Sequence, residues 1–147
     1  MYVYPVDDTE MRRLIARERD PDLRQAYVEM LEGCIDEPLN HVWHTVWYME
    51  LKDSPSTIVG DLSFKGLRQD GMVEIGYGLR PGCCGKGYMT EAVSALVAWA
   101  LDQPGVRRVE AETEPDNEAS QRVLTRAGFV PKGETGMEGP RFVFVGP

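Results

Sequence analysis

The amino-acid sequence predicts one α/β domain of the α+β type, with elements in the order β-α-α-β-β-β-α-β-α-β-β. Three observations support this. Apolar residues switch repeatedly between strand-like alternation and helical spacing, and Gly, Pro, Asp or Asn marks each switch. Residues 72–79 read as a strand that breaks into a glycine-rich turn and then launches a helix. A chain of 147 residues, 42% of them hydrophobic, supports one core of ordinary size, so residues 1–147 are expected to form a single domain.

Residues 1–6 alternate apolar and aromatic side chains and suit a short first strand. Asp7, Asp8 and Glu10 then offer an N-cap and a negative first turn for a helix reaching about Arg19. Asp20 and Pro21 restart the chain with a cap and a proline at the first helical position. Leu23, Ala26, Tyr27, Met30 and Leu31 recur at helical spacing until Gly33. Residues 44–51, 57–67 and 72–79 read as three antiparallel strands separated by turns at 53–56 and 68–71. Residues 90–101 carry Ala92, Val93, Leu96, Val97 and Ala100 on one stripe, which Pro104 and Gly105 bring to an end. A strand over 106–113, a helix over 117–127 closed by Gly128, and two strands from Phe129 and over 140–145 complete the order.

Composition narrows the function. A net charge of -8 without Lys/Arg clusters argues against a nucleic-acid partner. No apolar run approaches the ~18 residues of a membrane span, and the first residues lack the basic start and apolar stretch of a signal peptide, so a cytoplasmic protein is expected. Three cysteines, two of them adjacent, make neither a disulfide framework nor a spaced zinc site. His41 and His44 flank Trp43 without a cysteine or carboxylate companion in the spacing of a metal motif, and no metal is expected.

The turn after residue 79 is built for an anion. Gly82, Gly85 and Gly87 lack a Cβ, so the backbone can turn its N–H groups inward at the positive end of a helix dipole. Two nucleotide loops fail on spacing. A P-loop needs four residues between its first glycine and Gly-Lys, whereas Gly82 and Gly85 are separated by two. A dinucleotide fingerprint needs a small residue where Thr90 stands.

The segment resembles the acyl-CoA loop of the GNAT acetyltransferase superfamily, Gln/Arg-x-x-Gly-x-Gly/Ala. Cys84 takes the first place, Gly87 the invariant glycine and Met89 the last. The wording Gly-Lys-Gly-Tyr-Met-Thr-Glu-Ala is similar to the branch that acetylates ribosomal-protein N-termini. A second stretch, Asn117 and Ser120 on a helix ending in Gly128-Phe129, resembles the Asn-x-x-Ser helix of that branch.

The resemblance implies a GNAT-like fold, a central mixed and mostly antiparallel sheet of about six to seven strands flanked by four helices. It implies acetyl-CoA as the acyl-donor cosubstrate. Cys84, Gly85, Lys86, Gly87, Tyr88, Met89 and Thr90 would surround the pyrophosphate, and Asn117 would bond the pantetheine arm. The main-chain N–H of Leu79 would face the oxyanion. The partner is an amine acceptor, with protein N-termini and small molecules both open, as are monomer and homodimer. The first two helices would border the acceptor site, where no motif names a substrate. Acetylation needs a neutral nitrogen, yet an α-amine titrates near 8 and a lysine near 10.4, so a base is required. Glu74 is the first candidate, because it lies on the strand entering the loop, and Glu112 the second, sharing a face with Arg108 and Glu110. Leu124 occupies the place where many family members carry a tyrosine acid, and Ser120 would serve the thiolate instead. With Cys84, that departure keeps open an acyl-CoA-binding sensor or scaffold impaired in transfer.

Overall fold

The computed structural model describes residues 1–146. The alternating segments become seven strands, β1 (Tyr2–Pro5), β2 (Val46–Glu50), β3 (Ile58–Leu67), β4 (Met72–Leu79), β5 (Arg108–Glu112), β6 (Phe129–Thr135) and β7 (Pro140–Phe144). They form one sheet in the order β1-β2-β3-β4-β5-β7-β6. Every pairing is antiparallel except β4 with β5. The helices are α1 (Asp8–Arg17), α2 (Pro21–Asp36), α3 (His41–His44), α4 (Tyr88–Leu101) and α5 (Glu118–Ala127). A parallel pair needs a crossover connection, and α4 supplies it.

The expected order holds, with shifts at several ends. The Asp7 carboxylate accepts from the Glu10 N–H at 2.9 Å and caps α1. That helix stops at Arg17 rather than near Arg19, and the Arg24 guanidinium holds the bend by donating to Glu18 O at 2.6 and 3.0 Å. Gly33 was expected to end α2, but the helix passes through it to Asp36. Glycine serves a close approach there, since a Cβ would stand 2.6 Å from His44 Nδ1. Four flanking helices were expected and a fifth is present, the single turn α3, which carries Trp43 into the core.

The main core lies between α4, α5 and one sheet face, with Val73, Ile75, Val93, Leu96, Val109, Leu124 and Phe129 buried. Trp43, Trp47, Phe64 and Trp99 pack beside it at centroid separations of 4.7 to 5.9 Å. A smaller cluster of Val6, Met11, Leu14, Tyr27, Val46 and Tyr48 fastens α1 and α2 to the opposite face. Register then fixes the side chains of that second face. Tyr48 opposes Asp61 and Val46 opposes Ser63, while Asp61 and Ser63 oppose Gly78 and Gly76.

Candidate active site

The site begins where two parallel strands part. β4 and β5 are paired only from Met72↔Arg108 to Ile75↔Ala111, while β5 also pairs with β7 on its other edge. Residues 76–79 keep β3 as their neighbour on one edge. The Arg80 N–H donates to Val59 O on that side at 2.8 Å, so strand alternation turns the Tyr77 and Leu79 N–H groups to the open edge. Leu79 therefore presents a free main-chain donor where the sequence suggested an oxyanion contact.

The glycine turn follows directly. Gly82, Gly85 and Gly87 have φ of +83°, +78° and +76°, and no heavy atom lies within 4 Å of the place a Cβ would take. The left-handed conformation requires glycine there, not crowding. Gly87 caps α4, whose first main-chain bond is from the Glu91 N–H to Gly87 O at 3.2 Å. Among the described residues, no main-chain bond engages the N–H groups of residues 84–90. They form a row of donors at a helix N-terminus. Met89 anchors the turn by burying its side chain, and Lys86 stands 6.0 Å from the Tyr88 ring centroid. Cys84 is exposed.

Across the opening lies α5. The Asn117 carboxamide oxygen accepts the Ser120 N–H at 3.0 Å, so it caps the helix and leaves its NH2 group outward. Ser120 Oγ is 2.8 Å from the Tyr77 hydroxyl, a residue that motif reasoning had not singled out. Burial pushes the Tyr77 phenol up, with the Ser120 bond opposing it, so the hydroxyl keeps its proton at neutral pH. Tyr77, Ser120, Asn117, Glu112 and Thr113 line a cavity of about 180 Å³ between the parted strands. The Thr113 hydroxyl is buried there without a hydrogen-bond partner. Unbonded N–H groups on one side and an orphaned hydroxyl on the other fit a phosphate-headed arm threaded between β4 and β5.

Of the two expected bases, Glu112 lines this cavity and Glu74 lies on the neighbouring strand, and both are engaged by cations. Arg141 donates to Glu74, Glu110 and Glu112 at 3.0, 2.9 and 2.7 Å, and Lys65 pairs with Glu74 at 3.0 Å. Glu112 also accepts the Glu138 N–H at 2.7 Å; that bond, with Arg141 working against the cost of burial, holds its carboxyl below the usual range. Glu110 is 1% exposed; burial opposes ionisation, yet Arg108, Arg141 and Lys132 draw it down to about 2. Glu110 and Glu112, held down in this way, are poor proton acceptors. Both bases were expected from strand position, and in the fold both carboxylates contact the Arg141 guanidinium.

The histidines are also engaged. His44 Nε2 lies 2.8 Å from Glu37, and His41 Nε2 lies 2.7 Å from Val6 O. One Asp8 oxygen, Cys34 Sγ and a His41 nitrogen come within 4.8 Å of one another, a trio far apart in sequence and remote from the glycine turn.

An open mixed sheet whose parallel pair parts beside a glycine turn is the architecture of an acetyltransferase domain. A model of the acetyltransferase (GNAT) domain matches residues 2–130, and the chain belongs to that family. It is 39% identical over 85 residues to the Bacillus subtilis uncharacterized N-acetyltransferase YjdG, covering 57% of this chain and 50% of that one. The match spans about half the length of that relative. Spermidine N-acetyltransferase from Vibrio cholerae, solved with CoA and spermine, superposes with a TM-score of 0.73 at 10% identity, over 97% of this chain and 94% of that one. Ribosomal-protein-S5-alanine acetyltransferase from Vibrio fischeri superposes with a TM-score of 0.73 at 19% identity, over 96% and 89%. Among the described residues, no helix is long and apolar enough to cross a membrane.

Proposed function

We propose that this domain is an N-acetyltransferase that moves the acetyl group of acetyl-CoA to a primary amine by direct attack in a ternary complex. The row of unbonded N–H groups over residues 84–90, placed beside the open edge of β4, supports this reading above all. Cys84, Gly85, Lys86, Gly87, Tyr88, Met89 and Thr90 would hold the pyrophosphate through their main chain. The Asn117 NH2 and the Thr113 hydroxyl would bond the pantetheine arm. The thioester carbonyl would then lie against the Leu79 N–H, which takes up the charge that develops on its oxygen. The Ser120–Tyr77 hydroxyl pair would give the departing thiolate its proton, a role that Leu124 cannot fill. Glu74 and Glu112 enter as supports that hold the ends of β4, β5 and β7 together. Cys34, Cys83 and Cys84 are all free thiols, which suits a reducing cytoplasm where acetyl-CoA is also available.

The solved neighbours act on spermidine and on a ribosomal protein, so both small and protein-borne amines belong in the first screen. CoA release measured over such a panel, with CoA affinity measured by calorimetry, tests the reading. Turnover with micromolar CoA binding is the expected result, and absence of CoA binding sinks it. Binding without turnover of any amine points to a sensor or scaffold instead. For Ser120→Ala and Tyr77→Phe, kcat falls by about tenfold or more while CoA affinity holds, in line with loss of an acid–base partner.

A further inference from the structure

One carboxylate on the α2 face of the sheet is not held by the Arg141 network. Asp61 lies in the middle of β3, on the same face as Ser63 and directly opposite Gly78. Among the described residues its side-chain partner is the Tyr27 hydroxyl of α2, 3.4 Å from Oδ2. Arg80 faces the same cavity. This cavity, about 380 Å³, lies between α2 and the strand end, with Asp61, Tyr27 and Ser63 as its polar walls and Leu23 and Met30 as its apolar ones. Its floor is bare backbone. No heavy atom lies within 4 Å of the place a Gly78 Cβ would occupy, while a Gly76 Cβ would stand 3.6 Å from Ser63 Oγ and 3.7 Å from Lys65 Cε. A second cavity of about 480 Å³ continues along α2 and shares Ala26, Met30 and Ser63.

The family resemblance already puts the acceptor beside the first two helices; we propose that within this groove Asp61 is the residue that binds the ammonium group of the acceptor and takes its proton before attack. The proposal rests on the transferase reading and adds to it the residue that meets the amine, with Leu23 and Met30 as the apolar walls for a short arm behind it. Three observations converge on it. The carboxylate is the acidic wall of a groove that Arg80 and Ser63 also line, and among the described residues it forms no ion pair with that guanidinium, so it is open to an incoming ammonium. Gly78, opposite Asp61, is the neighbour of Leu79, whose N–H faces the parted edge, so an amine held by Asp61 would be one residue along β4 from the donor assigned to the thioester oxygen. Burial also raises the Asp61 carboxyl, with Arg80 and the Tyr27 bond opposing and Glu18 reinforcing it, which makes it a better base than an exposed aspartate. The net charge of -8 favours the approach of a cation.

The chemistry balances without another reactant. The ammonium gives one proton to the Asp61 carboxylate, and the freed lone pair attacks the thioester carbon. A C–N bond forms, the oxyanion collapses and the C–S bond breaks. The second amine proton is matched by the one that the CoA thiolate receives through Tyr77 and Ser120. One net proton leaves from Asp61 to solvent. Asp61 is thus a catalytic residue, and Tyr27 a positioning residue that orients its carboxylate.

Calorimetry on the CoA-loaded protein tests the site without requiring turnover. Butylammonium and alanine amide serve as probes, with 1-pentanol as a neutral counterpart of the former. The wild type is expected to bind at least one ammonium probe at least tenfold more tightly than the alcohol. Asp61→Asn removes that preference while CoA affinity stays within twofold, which also shows that the variant folds. Binding of butylammonium alone assigns a small aliphatic amine, and of alanine amide alone a peptide α-amine; either supports the proposal. No ammonium preference in the wild type, or equal preference in Asp61→Asn, overturns it. Ammonium binding without acetyl transfer keeps this subsite and removes the transferase reading, so the two failures are distinguishable. With turnover, kcat/KM for the amine falls about 100-fold or more in Asp61→Asn, and the acid limb of its pH profile disappears. Tyr27→Phe lowers kcat/KM by less than about fivefold and shifts that limb instead of removing it.

Discussion

Glu74, Glu110 and Glu112 share a sheet face with Asp61, yet the two ends of that face treat a carboxylate in opposite ways. Beyond β4, where no helix covers the sheet, Arg141, Lys132, Arg108 and Lys65 thread between the three glutamates and pair with each of them. Beneath α2, a phenol donates to Asp61, and Arg80 lines the same cavity without an ion pair to that carboxylate among the described residues. The difference is one of electrostatic economy. A fully paired cluster locks strands in register and has no valence left for a ligand, whereas a half-buried unpaired charge gains the most when a cation arrives.

Removing Arg141 is the most disruptive way to test that contrast. It bridges β4, β5 and β7, and its side chain is 15% exposed. Arg141→Met leaves Glu110 and Glu112 short of their central partner, and breaking a buried pair in this way costs about 3–5 kcal/mol. In a domain of this size that corresponds to a fall in Tm on the order of 10 °C. Thermal unfolding measures it. A fall below about 2 °C would show that the cluster is solvated decoration and would return Glu74 to the list of bases.

Acid titration probes the same cluster with a somewhat smaller effect. The Glu110 carboxyl is held down at about 2 in the fold, against an ordinary value of 4.5. A group depressed by folding stabilises the native state above its unfolded pKa, and that stability is lost as pH falls from about 4.5 towards 2. The expected loss is about 3 kcal/mol, read from urea midpoints across that window. Glu110→Gln should start less stable and show a flatter acid limb. An unchanged limb in that variant would assign the acid sensitivity to other carboxylates.

The legible parts of the molecule were those encoded locally. The left-handed turn at Gly85 and Gly87 and the C-cap at Gly128 each need only neighbouring residues to specify them, and each stands where the sequence put it. The caps at Asp7 and Asp20 were equally readable. Side-chain partners were not. Glu74 meets Arg141 across 67 residues because β7 inserts between β5 and β6, and no local pattern reports that order. Tyr77 and Ser120 are 43 residues apart and meet only once β4 and α5 pack. Asp61 was missed for a different reason. In an alternating strand a polar residue reads as solvent-facing, and only the docking of α2 over that face turns it into the wall of a groove.

The smallest expected effect discriminates best between the two ends of the face. Glu74→Gln keeps the shape of the side chain and one acceptor oxygen, while Lys65 and Arg141 keep other acidic partners, Glu138 for the first and Glu110 and Glu112 for the second. If Glu74 only supports the strands, kcat/KM for the amine changes by no more than about threefold, within what a lost surface-type ion pair explains. Asp61→Asn, the same kind of exchange one strand away, is expected to cost about 100-fold. Measuring both side by side in one assay removes differences in substrate and salt. A large loss at Glu74 with little change at Asp61 would reverse the assignment, because it would mean that the base works through its ion pairs and that the α2 groove binds without taking part in the chemistry.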